Sequence, residues 1–223
     1  MFFTLIRLGR NASPRDVALL SKKDGYQSHC LIWNLFADRP DRRRDFLYRH
    51  ETANGWPTFY TVSDREPRDD TGLWEIYSKL YTPKLVVGQQ LAFTLRANPI
   101  RTKRDEQGRQ HRHDVIMDGK AHLKQQNGTA KNSYIQEILR REGVAWLDSR
   151  AGKYGFSFGQ QHLRVEAYQQ HSFYGKGGKI SFSTLDFSGI LTVVDIETFI
   201  AALYQGIGPA KGFGCGLMMV RRL

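Results

Sequence analysis

Tyr26 and His29 stand three residues apart, the spacing at which two side chains share one face of a helix. An imidazole titrates near neutral pH, so it can take a proton from a hydroxyl or hand one to a leaving group. A phenol beside it can orient the reacting group or share that work. Lys22 and Lys23, just upstream, offer positive charge to a developing anion. A half-buried histidine packed by a tyrosine produces the same pattern, so the pair alone names no reaction. A second stretch lies near the other end of the chain, where five glycines accompany Pro209 and Lys211 between Gly206 and Gly216. Backbone without Cβ atoms can approach a phosphate closely and turn its amides toward an anionic oxygen. Gly208, Gly212 and Gly214 are the candidates, with Lys211 adding a full charge. No Walker A spacing occurs here, and a helix stop leading into a last strand would use the same residues.

The charge of the chain says which anion to expect. Among 223 residues, 33 Lys and Arg face 22 Asp and Glu, a formal net charge of +11. Such an excess suits a polyanion, and nucleic acid is the commonest one. The basic residues interleave with aromatics: Arg39, Arg42, Arg43 and Arg44 follow the histidine segment, then Arg96, Arg101 and Lys103, then Lys176 and Lys179 beside Phe173 and Tyr174. Any one cluster reads as a solvated face. Their sum reads as a surface that follows a phosphate backbone, and a basic hairpin over residues 172–179 suits a folded RNA.

Composition excludes other classes. At 40% apolar and 12% aromatic residues the chain builds cores and is no disordered tail. No run approaches the roughly 18 apolar residues of a spanning helix, and the opening Met-Phe-Phe-Thr-Leu-Ile-Arg-Leu lacks the length and flanks of a secretory signal. Two cysteines, Cys30 and Cys215, make neither a disulfide framework nor a four-thiolate metal site. His111, His113 and His122 have no carboxylate or cysteine at ligand spacing. His162 and His171 carry nothing distinctive, and His50 reads as a surface residue. The expectation is a cytoplasmic protein with no metal, no cofactor and no membrane partner.

Apolar runs and breakers outline the elements that must hold these groups. Phe2–Leu8 reads as a strand, and a short helix fits 16–20. Residues 26–36 place Leu31, Ile32, Leu35 and Phe36 at helical spacing before the stop at Asp38-Arg39-Pro40. Residues 46–48, 56–62 and 74–80 read as strands around a charged loop at 64–72. That order suits a β-α-β-β-α-β unit whose second helix is short or lost. Residues 91–98 form another strand. Residues 101–131 are so poor in apolar side chains that they read as a long mobile loop. A helix over 134–147, jogged at Gly143, leads to alternating strands at 163–168 and 179–194 with a hairpin tip at 172–178. A helix from Ile196 stops at Gly206, and 217–220 closes as a strand. The expected class is α+β: two tandem ferredoxin-like, RRM-like domains with antiparallel sheets. Residues 1–86 carry the histidine helix; 87–223 carry the basic insertion, the hairpin and the glycine-rich loop.

Several segments, taken in order, resemble one known family. They are Tyr26-Gln-Ser-His29, Leu31-Ile-Trp-Asn-Leu-Phe36, Arg39-Pro40 and Arg44-Asp-Phe-Leu-Tyr48, then Leu95-Arg-Ala-Asn-Pro-Ile-Arg-Thr-Lys103, Gly189-Ile-Leu-Thr-Val193 and the stretch from Gln205 to Leu217. Together they resemble the CasE family, the CRISPR repeat-RNA endoribonucleases of the type I-E Cascade complex. The resemblance implies the same two-domain fold and metal-independent cleavage of CRISPR precursor RNA at the base of each repeat stem-loop. The ribose 2′-OH attacks, leaving a 2′,3′-cyclic phosphate or a 3′-phosphate and a 5′-hydroxyl. It also implies that the mature crRNA stays bound and that other Cascade subunits are partners. The family's helix histidine falls on His29 and its companion tyrosine on Tyr26. Residues 11–25 run longer than the family pattern, which leaves open whether Lys22, Lys23 or another cation supports the transition state; residues 101–131 also run longer, an insertion expected to order on RNA or on a neighbouring subunit. A non-catalytic RNA-binding module on the same fold explains the charge and the glycines without the histidine.

Overall fold

Alternation along Phe2–Leu8 (β1) buries Thr4, Ile6 and Leu8 on one face, as the two-residue period of a strand requires. In the computed structural model β1 is central to a four-stranded antiparallel sheet. It pairs with Trp56–Ser63 (β3) from Phe2 opposite Ser63, and with Trp74–Leu80 (β4) from Phe2 opposite Leu80. Phe46–Ala53 (β2) adds to β3, so the order is β2-β3-β1-β4. The structure describes residues 1–9, 12, 13, 15, 17, 25–39, 43–53, 56–127, 132–175 and 177–223, with only the backbone at 25–27, 125–127, 132, 133 and 175. The short helix expected over 16–20 falls largely outside these residues. Helix Gly25–Asn34 (α1) and the turn that ends it cover one sheet face. Ile32, Leu35 and Phe36 pack there against Ile6, Leu8, Phe46, Tyr48 and Phe59. Between β3 and β4 the chain makes turns and no helix, as expected for a unit whose second helix is lost.

The second half repeats this plan. Gln90–Ala97 (β5) buries Leu91, Phe93, Leu95 and Ala97 and pairs antiparallel with Gly178–Val193 (β9) on one side and Met218–Arg222 (β10) on the other. Phe156–Gly175 (β8) adds to β9, giving the order β10-β5-β9-β8. In both sheets the half's own strands thus run fourth, first, third, second. The protein is two ferredoxin-like domains in tandem. Helix Asn132–Ala151 (α3) packs on the second sheet, and Ile196–Gln205 (α4), capped by Asp195 through the Thr198 amide at 2.9 Å, leads into the glycine-rich loop. Contacts from the two domains meet around Leu47, Val62 and Leu217, with Tyr81 and Tyr204 against them. Among the described residues no helix is long and apolar enough to cross a membrane.

Three local expectations need correction. The basic segment read as a mobile loop is ordered over its described residues, 101–127: Ile100–Arg104 (β6) and Gln110–Asp114 (β7) form a hairpin, and Val115–Asn127 (α2) follows. A two-stranded ribbon can hold charges on both faces, so scarcity of apolar residues said little. Order comes instead from Asp105, which takes the Gln107 and Arg109 amides at 3.0 and 2.8 Å, and from Asp114, which caps α2 through the Ile116 and Met117 amides at 2.8 and 2.9 Å. Next, β8 and β9 run far longer than the alternating segments suggested. Register shifts between Phe158 and Leu163 and between Glu166 and Gln169 interrupt the alternation without ending the pairing. Finally, α3 runs unbroken through Gly143. That glycine marks close packing: a Cβ there would stand 2.5 Å from Val165 Cγ1 and 3.1 Å from Leu185 Cδ2. Gly143→Leu therefore lowers stability by about 1–3 kcal/mol through overpacking, despite leucine's better helix propensity. A lower urea midpoint at unchanged slope is the expected reading.

Candidate active site

His29 sits beside the stripe of α1 that faces the sheet. Ser28 and Ile32 are buried, while His29 is half-buried and turns toward the second domain. Its ring lies between two aromatics, Trp33 one turn later at 5.8 Å between centroids and Phe213 of the glycine-rich loop at 5.5 Å. Its Nδ1 is 2.6 Å from the Gly212 carbonyl oxygen. A carbonyl can only accept, so Nδ1 donates and the neutral ring carries its lone pair on Nε2. Tyr48, buried in β2, donates from Oη to the same oxygen at 3.3 Å.

The loop that supplies this carbonyl is shaped by its glycines. Gly206, Gly208, Gly214 and Gly216 all have positive φ, between 77° and 91°, which a side chain resists. Gly206 donates to Ala202 O at 2.8 Å, Ile207 to Gly216 O at 2.9 Å, Phe213 to Ala210 O at 2.9 Å and Gly216 to Arg96 O at 2.7 Å. These amides close the loop on itself and on β5. The amides of Gly206 and Gly216 are thereby committed within the fold. The 3₁₀ turn Lys211–Phe213 points Gly212 at His29, and a Cβ on Gly214 would stand 3.3 Å from Tyr48 Cε2.

Arg44 and Lys211 bring positive charge to the same place. Arg44 is half-buried and donates to Phe46 O at 2.7 Å. Burial lowers its proton affinity. Burial also lowers that of Lys211, and the Arg44 charge adds to the effect. For His29, burial is the largest influence and depresses the pKa. The Gly212 bond opposes that, Arg44 reinforces it, and the net result lies below the ordinary 6.5. The ring is therefore neutral at pH 7 and able to accept a proton. Burial raises Tyr48 far above the usual phenol range, which keeps its hydroxyl protonated as a donor. Burial likewise pushes the Cys215 thiol up to about 12. It is an inert core group, and Cys30 and Cys215 are both free thiols.

The remaining expected residues scatter. Tyr26 lies in the first turn of α1, and its side chain is outside the described residues, as are Lys22, Lys23, Arg42 and Lys176 entirely. Arg39, Arg43 and Lys179 are exposed, and Gly208 lies beside Trp146, 3.5 Å from where a Cβ would stand. Arg96 faces inward: it binds Asp186 through two nitrogens at 2.8 and 2.7 Å and gives a third N–H to His50 O at 2.9 Å. It links β5, β9 and β2. Arg101 and Lys103 lean on acids of the neighbouring helices, Glu142 at 3.0 Å and Asp118 at 2.6 Å. His50 is not a surface residue. It lines a cavity of about 240 Å³ between the domains with Arg96, His171 and Phe213, and its Nε2 is buried with no hydrogen-bond partner among the described residues. Sequence reasoning missed Tyr48 and Phe213 at the site, because their partners lie 164 residues away or more. Among the described residues no three His, Cys, Asp or Glu side chains gather to hold a metal.

The family model described as CRISPR associated protein matches residues 1–222. This chain belongs to that family. It is 35% identical to the CRISPR system Cascade subunit CasE of Escherichia coli strain K12, over 93% of this chain and 96% of that one. It is 28% identical to the CRISPR-associated endoribonuclease Cse3 of Thermus thermophilus, over 94% and 93%. Its fold matches the structure of Thermus thermophilus Cse3 bound to an RNA representing a pre-cleavage complex, with a TM-score of 0.66, 25% identity and 99% and 98% coverage.

The charge arrangement can be measured directly. The His29 Cε1 proton, followed by NMR, should titrate with a midpoint below 6.5. Arg44→Gln should move that midpoint upward, since removing a neighbouring cation makes the imidazolium less costly. An unmoved midpoint in the variant would mean the Arg44 charge does not reach the ring.

Proposed function

We propose that this chain is a metal-independent endoribonuclease that cleaves CRISPR precursor RNA at the base of the repeat stem-loop, stays bound to the mature crRNA and joins the Cascade assembly. The observation that carries the chemistry is the convergence of a neutral His29, held by the Gly212 carbonyl, with Arg44 and Lys211 where the two domains meet. RNA brings its own nucleophile, the 2′-OH beside the scissile phosphate. The protein must hold an in-line geometry, move two protons and offset charge on the phosphorane.

In this reading the Nε2 lone pair of His29 takes the proton from the 2′-OH. The oxygen attacks phosphorus and the 5′-oxygen leaves, taking up a proton from the His29 imidazolium or from water. Arg44 and Lys211 face the extra negative charge of the pentacovalent state. Tyr26, one turn before His29, orients the ribose or assists the proton transfer to the leaving oxygen. The products are a 2′,3′-cyclic phosphate, or a 3′-phosphate on its opening, and a 5′-hydroxyl. Exposed Arg39, Arg43 and Lys179, together with Lys22, Lys23, Arg42 and Lys176, serve the RNA backbone. Arg96, Arg101 and Lys103 support the surface from within or from its edge. We divide the domains between residues 86 and 87, in the segment joining β4 of one sheet to β5 of the other, and place the protein in the cytoplasm with its transcript.

An assay with the repeat hairpin in EDTA tests the whole scheme: cleavage should proceed. His29→Ala should slow it by about 10²–10⁴-fold while hairpin affinity changes little. A hairpin with a 2′-deoxy sugar at the cut should bind and remain intact. His29→Ala cutting at the wild-type rate would remove the base from the mechanism.

A further inference from the structure

Asn98 follows β5 within the Arg-Ala-Asn-Pro segment, and the chemistry above gives its side chain no task. The residue is only 4% exposed, yet its Oδ1 has no hydrogen-bond partner among the described residues. Buried amide oxygens without partners are rare, because each gives up its bonds to water for nothing. Nearby Asp114 shows the usual situation: its carboxylate takes the Ile116 and Met117 amides, the Tyr168 hydroxyl and the Ser183 hydroxyl.

Asn98 lines a cleft of about 590 Å³ bounded by the β6–β7 hairpin, the start of α2 and the β8–β9 ribbon. Met117, Phe182 and Phe213 give it apolar walls, and Arg112 and Lys179 line it with positive charge. Met117 is 45% exposed, an unusual position for a long apolar side chain. A slot with apolar walls, an unpaired amide oxygen, the hydroxyls of Ser172, Ser181 and Ser183 and cations beside it is suited to a flat, polar ligand. The position of the slot narrows the choice. Phe213 stacks on Phe182 with centroids 5.2 Å apart and meets the His29 ring at 5.5 Å, so a single aromatic ring separates the cleft from the proposed point of cleavage.

Resting on the reading that this chain binds repeat RNA, we propose that the cleft receives one unstacked nucleotide next to the cut. The exocyclic amino group of its base donates to Asn98 Oδ1, its face lies against Met117 and the edge of Phe182, whose ring already stacks with Phe213 and His171, and its phosphate meets Arg112 and Lys179. Proteins read single-stranded nucleotides in this way, by aromatic stacking and by hydrogen bonds to base edges. An amide oxygen accepts from the amino group of adenine, cytosine or guanine and equally from the N3–H of uracil, so Asn98 selects for a base that presents a donor edge.

The test uses the full chain and its cognate repeat hairpin, with each nucleotide flanking the stem base made abasic in turn. One position should weaken wild-type binding by about tenfold to a hundredfold, the effect of losing one stacked base. Asn98→Ala should weaken binding of the intact hairpin and add nothing on that abasic hairpin. Placing N3-methyluracil, which has no base-edge N–H, at that position should cost wild type as much as Asn98→Ala does. Losses that multiply, or no sensitive position at all, overturn the proposal. If Asn98→Ala melts below the assay temperature, Met117→Ala at the exposed rim carries the same comparison. Failure of wild type to bind or cut any repeat hairpin would overturn the RNA reading itself. Normal binding and cutting with no coupled position would overturn the cleft alone.

Discussion

The hydrogen bond from His29 Nδ1 to the Gly212 carbonyl joins a helix of the first domain to a loop of the second, and most of the molecule is arranged so that it can form. It has a chemical direction, because the acceptor is a carbonyl. The proton must sit on Nδ1, and Nε2 is the nitrogen to which the proposed mechanism gives the role of base. No side chain on α1 could do this without spending its own rotamer freedom. A backbone carbonyl is already fixed once the loop is fixed, so the histidine tautomer follows from the placement of one main-chain atom.

That placement depends on how the domains are held. Arg96 ties β5 and β9 to the His50 carbonyl of β2, the strand that also carries Tyr48. The Gly216 amide then bonds the Arg96 carbonyl, so the same residue anchors the glycine-rich loop through its backbone and the other domain through its side chain. Gly206 meets Leu47 of β2 so closely that a Cβ would stand 2.9 Å from Leu47 Cδ2. Such an interface has little room to slide. Half-buried, bidentate ion pairs of this kind fix geometry more dependably than they add net stability.

Local features of the sequence were readable and distant ones were not. The helix around His29, the alternation of β1 and β5, and the α4 stop at Gly206 each follow from neighbours in the chain. The pairing of His29 with Gly212 spans 183 positions, and nothing in either segment marks the other as its partner. Arg96 was read as a basic residue facing RNA, since composition cannot tell a guanidinium committed to Asp186 from one left in solvent. The ordered hairpin and helix within 100–127 were hidden by counting apolar residues. The turn at Asp105–Arg109 and the cap at Asp114 were the signals that mattered, and both are polar. Tyr48 looked like any aromatic of a strand, and only its neighbours reveal that its hydroxyl serves the Gly212 oxygen.

The electrostatics of the site make a further connection between binding and proton transfer. Burial lowers the proton affinity of Arg44, Lys211 and His29 alike, and the Arg44 charge presses on the other two. Three basic groups held together out of water repel one another, and an anion among them relieves the strain on all three. A phosphate among them would therefore raise the depressed His29 pKa. In the proposed mechanism the base would be strengthened where the substrate phosphate is placed, since general-base efficiency depends on how the pKa stands to the working pH. The same cations that hold the phosphodiester would thereby tune the group that acts on it.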